Sequence, residues 1–145
     1  TERGGRVRST KIASVTKYEI AKHIAANVHP ESTLHTDGAQ HYKFLPGIEA
    51  HESVDHSKMY VRKGKKGPVH TNTLEGYFSV FKRGLVGTYQ HMSEAHMNRY
   101  LAEFDFRQHT RAALGVDDVT RSELALKGAV GKRLTYRTTL AANHA

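Results

Sequence analysis

Hydrophobic positions along the chain change their period several times, and each change marks an element. From Thr16 onward Ile20, Ala21, Ile24, Ala25 and Val28 recur at steps of three and four. That is one face of a helix, opened by a Thr16–Glu19 capping box and stopped by Pro30. Ahead of it, residues 7–13 alternate loosely after Gly4-Gly5, which predicts a hairpin turn and a return strand. Residues 32–36 (STLHT) predict a short strand that ends at Asp37-Gly38, and Val54 centres a second in HESVDHS. Further on, Leu74, Tyr77, Phe78, Phe81 and Leu85 form an amphipathic stripe that predicts a helix with that stripe buried. Met97, Tyr100, Leu101 and Phe104 do the same for a helix capped by Ser93 and running to about Thr110. A last helix is predicted over residues 119–130, capped by Asp117-Asp118, before a basic end at 131–137. Strands interleaved with helices imply an α/β fold, and 145 residues with 38% hydrophobic content suffice for a single domain over the whole chain.

Charge narrows the partners. Lys and Arg number 22 against 14 Asp and Glu, a formal net charge of +8, so a polyanion such as nucleic acid is the natural partner. With no cysteine there is no disulfide and no thiolate metal site. No run approaches the roughly 20 apolar residues of a membrane span, and TERGGRVRST has no apolar signal core, so a cytoplasmic protein is expected. In KMYVRKGKKGPVHT the cations Arg62, Lys63, Lys65 and Lys66 are spaced by glycine, which reads as a mobile loop meeting phosphates. The eleven histidines have no zinc spacing; His70 is the one expected to approach a phosphate, and Asp55 with His56 reads as the polar face of a strand.

The stretch VHTNTLEGYFSVFKRG leaves two roles open for Glu75. Asn72 and Glu75 have the spacing of a capping box. Lys82, seven residues after Glu75, lies two turns along on the same helix edge, where core meets solvent. A strand-end carboxylate (Asp37), a helix-edge carboxylate (Glu75) and a nearby cation on a basic protein are the parts of a metal-dependent phosphoryl-transfer site. Mg²⁺ prefers oxygen ligands and takes further oxygens from phosphate.

HTNTLEGYFSVFKRGLVGTYQH, with HTDGAQHY before it and LAEFDFRQHTRAALG after it, resembles the ISXO-like family of DDE transposases of bacterial insertion sequences. The resemblance implies a ribonuclease H-like fold, a central mixed sheet with flanking helices. It also implies Mg²⁺ (or Mn²⁺) as cofactor, and transposon and target DNA as partners of a possible homo-oligomer. Asp37 stands at the family's second acidic position and Glu75 at its third, with Asn72 a second candidate there; Lys82 and Arg83 would position the DNA strand. The family's first aspartate lies upstream of a β-hairpin inside which this chain begins. The implied reading is therefore an N-terminally truncated catalytic domain, inactive by itself. A non-enzymatic basic DNA-binding remnant and a ribonuclease H-like nuclease are the alternatives.

Overall fold

The computed structural model describes residue 1, residues 4–43 and residues 45–132, so most of the basic end at 131–137 falls outside the described residues, whereas the chain does turn at Gly4-Gly5, where Gly4 takes a φ of 71°. Backbone contacts group the chain into two units, Thr1–His109 and Thr110–Ala145.

In the first unit, helix α1 (Lys17–Asn27) starts where its cap predicts, with the Thr16 hydroxyl accepting the Glu19 N–H at 3.2 Å. Strand β1 (Thr33–Asp37) pairs in parallel with β2 (Ala50–Val54), from Thr33 opposite Ala50 to Asp37 opposite Val54. The intervening crossover contains a short turn at Gln40–Tyr42. Because the strands run the same way, Asp37 and the residues after Val54 emerge at one edge, the carboxyl ends where open α/β sheets bind their ligands. Val54 is fully buried and anchors that edge.

The glycine-spaced basic run, expected as a mobile loop, is instead a hairpin of β3 (Arg62–Gly64) and β4 (Gly67–Val69), antiparallel with Gly64 opposite Gly67. Lys65-Lys66 form its two-residue turn, and Gly67 takes a φ of 128° that side chains disfavour. Gly64 is required for a second reason, because a Cβ there would collide with the Glu52 carboxylate and the Val69 side chain. Arg62 Nε donates to the Ser53 carbonyl at 3.1 Å and the Lys65 N–H to Glu52 at 3.0 Å, so the hairpin is tied to β2. The described residues are thus a mixed α/β fold whose strands lie in two two-stranded sheets, one parallel and one antiparallel.

Helix α2 (Asn72–Gly84) runs into a wider π turn at Leu85–Tyr89, and α3 (Met97–His109) follows a tight turn at Glu94–His96. The core between them holds Val7, Tyr77, Met92 and Phe104, with Phe81, Leu85, Tyr89, Met97 and Tyr100 packed against it. At Gly84 the helices approach so closely that a Cβ would strike the Phe104 ring.

Residues 7–13 do not form the predicted return strand. Their alternation has another cause: every second N–H finds a side chain of α3. Val7 N–H meets His109 Nε2 at 2.8 Å, Ser9 N–H donates to Asp105 Oδ2 at 2.7 Å, and Lys11 N–H donates to Asn98 Oδ1 at 2.9 Å. Positions 98, 105 and 109 share one helix face, so a helix satisfies the period that a neighbouring strand would.

The second unit contains a turn at Ala112–Leu114 and α4 (Asp118–Ala129), capped as predicted by the Asp117 carboxylate on the Thr120 N–H at 2.7 Å. Arg121 Nε donates to the Thr110 carbonyl at 2.9 Å.

Candidate functional site

A cleft of about 1980 Å³ opens along the carboxyl ends of β1 and β2 and the first turns of α2. Asp37, Asp55, His56, His70, Glu75, Lys82 and Arg83 all line it. The sequence places these residues on four different segments, and the parallel pairing of β1 with β2 and the direction of α2 bring them together.

Asp37 is the last residue of β1 and is exposed. Its Oδ1 accepts the Ala39 N–H at 3.1 Å, an Asx turn that shapes the strand end and leaves the carboxylate in the cleft. Burial raises the phenol pKa of Tyr42, also on the cleft wall, and the charge of Asp37 adds to that shift.

Glu75 is not part of a capping box with Asn72. The N-cap is Thr71, and Asn72 is the exposed first residue of α2, outside the cleft wall. A one-residue shift in helix start removes the box, because Asn72 already has helical geometry and Glu75 stands four positions from the cap. The Thr71 hydroxyl donates instead to Glu75 Oε1 at 2.7 Å. Leu74 and Phe78, predicted as buried stripe, are 38% and 42% exposed and line the cleft, whereas Tyr77 is 3% exposed. The apolar stripe is therefore divided between core and cleft.

His56 is the residue that sequence reasoning missed. It is not on the polar face of a strand: it follows β2 by two positions, with Nε2 2.6 Å from Thr71 Oγ1 and 3.1 Å from Glu75 Oε1. Asp55 builds the turn that carries it, accepting the Ser57 N–H at 3.0 Å and the Ser57 hydroxyl at 2.6 Å. Those two bonds from Ser57 hold the Asp55 carboxyl below the usual carboxylate range. No local signal marks it, because the β1–β2 pairing and the approach of α2 that bring His56 to Glu75 are made by segments distant in sequence.

His70 lines the cleft, and its Nδ1 is enclosed by protein without a hydrogen-bond partner. The four cations of the hairpin stand apart from this cleft: Arg62, Lys63 and Lys65 flank a separate shallow depression, and Lys66 sits on the turn beside them. Among the described residues no three His, Asp or Glu side chains converge as a ready-made metal cage. No described helix is long and apolar enough to cross a membrane.

No curated protein and no solved structure matches the chain. The family described as the ISXO2-like transposase domain matches residues 1–109. That span is the first compact unit, strand-end cleft and basic hairpin included. The matched span covers most of the 145 residues, and the chain belongs to the ISXO2-like transposase domain family.

Proposed function

We propose that this chain carries part of the catalytic centre of a DDE transposase with a ribonuclease H-like fold, in which Asp37 and Glu75 are metal-holding carboxylates and Lys82 and Arg83 position the DNA strand. One observation carries the reading: the aspartate that ends β1 lines one cleft with a glutamate and two cations of α2, in a basic protein. The donor set fits a hard divalent cation. Both ligands are oxygens, and Mg²⁺ is commonly held by one or two carboxylates together with phosphate oxygens and water. A bound divalent cation supplies activation of the attacking oxygen and stabilisation of the leaving one. The protein's own part is to hold one carboxylate at the end of β1 and the other on the first turn of α2, to set Lys82 and Arg83 against the phosphate, and to bind flanking duplex through Arg62, Lys63, Lys65 and Lys66. Asn72, exposed and off the cleft wall, is the weaker candidate for the third acidic position.

The chain's basic charge and the cations of the hairpin support a second reading for the chain by itself, DNA binding without cleavage. Two measurements test the pair. Affinity for duplex DNA should fall with salt at a slope of about −0.9 per neutralised phosphate, and changing the four hairpin cations to Ala should flatten it. Nicking by the 145-residue chain in Mg²⁺ should be undetectable, and robust nicking would show that its carboxylates suffice. A salt slope unchanged by the four substitutions removes the hairpin from the DNA interface.

A further inference from the structure

The contacts around Glu75 can be followed proton by proton. Thr71 has one hydroxyl proton, and at 2.7 Å from Glu75 Oε1 it is donated to the carboxylate. Thr71 Oγ1 must then accept at its 2.6 Å contact with His56, so the proton there belongs to His56 Nε2. His56 Nε2, whose hydrogen bond goes to Thr71, also lies 3.1 Å from Glu75 Oε1 as an ion-pair contact. Both contacts fall on one carboxylate oxygen, and Oε2 is left for a ligand. The support behind His56 is equally specific: the Asp55–Ser57 turn fixes its backbone, and the Tyr60 ring stands edge-on to the imidazole at a centroid distance of 6.1 Å.

We propose that His56 is a positioning residue, in the Nε2–H form, that clamps Glu75 Oε1 through Thr71 and directly, so that Glu75 meets a divalent cation through Oε2 alone. The clamp joins the end of β2 to the cap of α2 and so sets the distance between the strand edge that carries Asp37 and the helix that carries Glu75. The inference rests on Glu75 being a metal-holding carboxylate, as proposed above. A carboxylate on the exposed first turn of a helix would otherwise lose rotamer freedom on binding, and a partner behind the ligand removes that loss in advance.

The test is Mn²⁺ binding to the chain, followed by electron paramagnetic resonance, together with ¹⁵N spectra of the His56 ring. Glu75→Gln should abolish the site. His56→Ala should weaken Mn²⁺ binding by about 10-fold or more, the usual range for partners behind a metal ligand. His56→Gln, whose amide N–H can reach the same two oxygens, should restore most of it, and the native ring should carry its proton on Nε2. Weakening by Glu75→Gln but not by His56→Ala overturns the clamp and leaves Glu75 as a ligand. Loss in neither variant removes Glu75 from the metal site, and the clamp with it. A ring protonated on Nδ1 alone overturns the clamp directly. Should His56→Ala fail to fold, the native ring spectrum and the His56→Gln titration decide.

Discussion

Asp105 on α3 and Glu75 on α2 are both helix carboxylates, and the structure treats them in opposite ways. Asp105 is engaged through both oxygens: it accepts the Ser9 N–H at 2.7 Å on Oδ2, and the Ser9 hydroxyl at 2.7 Å and the Tyr77 hydroxyl at 2.8 Å on Oδ1. Its partners come from the extended segment and from the buried face of α2, so the group joins three segments and has little capacity left for a ligand. Glu75 has its two contacts on one oxygen and faces an open cleft; Asp37, with one backbone donor, is similar. Residue type does not separate these carboxylates. Residual hydrogen-bonding capacity does, because a carboxylate with spare lone pairs in a cleft is one that a cation or a donor can still use.

The sharpest way to break the contrast is Asp105→Ala. It leaves the Ser9 N–H and the Tyr77 hydroxyl without their acceptor in a half-buried site, and unfolding free energy should drop by about 2–4 kcal/mol in urea titrations. A loss under about 1 kcal/mol would mean that water replaces the carboxylate freely and that the network is not structural.

An intermediate effect comes from pH. Burial, with Asp105 next to it, pushes the Tyr77 phenol up to about 12. A group whose pKa is higher in the folded than in the unfolded state stabilises fully below the unfolded value near 10, and the contribution is lost as pH rises through 12. Between pH 10 and 12 the protein should lose on the order of 1 kcal/mol through this residue. Tyr42 and Tyr89 are also raised, so the measurement is the difference between native chain and Tyr77→Phe across that window. A constant difference would refute the assignment.

The smallest effect is expected at Glu75. Glu75→Gln keeps an acceptor for the Thr71 hydroxyl on an exposed helix start, so thermal stability should move by less than about 0.5 kcal/mol. A large loss would put Glu75 in the same structural class as Asp105 and end the contrast.

Much of the chain is legible in local pattern. Thr16 and Asp117 cap the helices that their spacing announces, and Asp37 ends a strand before a glycine, because caps, turns and amphipathic stripes are decided within four or five residues. The misreadings share a cause. Residues 7–13 alternate like a strand, yet their N–H groups bond to side chains of α3, about ninety residues further on, as with Ser9 and Asp105. Leu74 and Phe78 belong to the same stripe as Tyr77, but only tertiary packing determines that Tyr77 enters the core and the other two line a cleft.

The sequence by itself determined the four helices, the strand end at Asp37, the basic charge and the run that resembles the transposase family, since these depend on composition and near-neighbour spacing. Tertiary structure decided how the pieces are used. The parallel register of β1 with β2 puts His56 beside Glu75, and the helix start at Thr71 rather than Asn72 turns a supposed capping glutamate toward the cleft. The physical reason is that a side chain's role depends on which of its donors and acceptors remain unused, and partners distant in sequence are what use them.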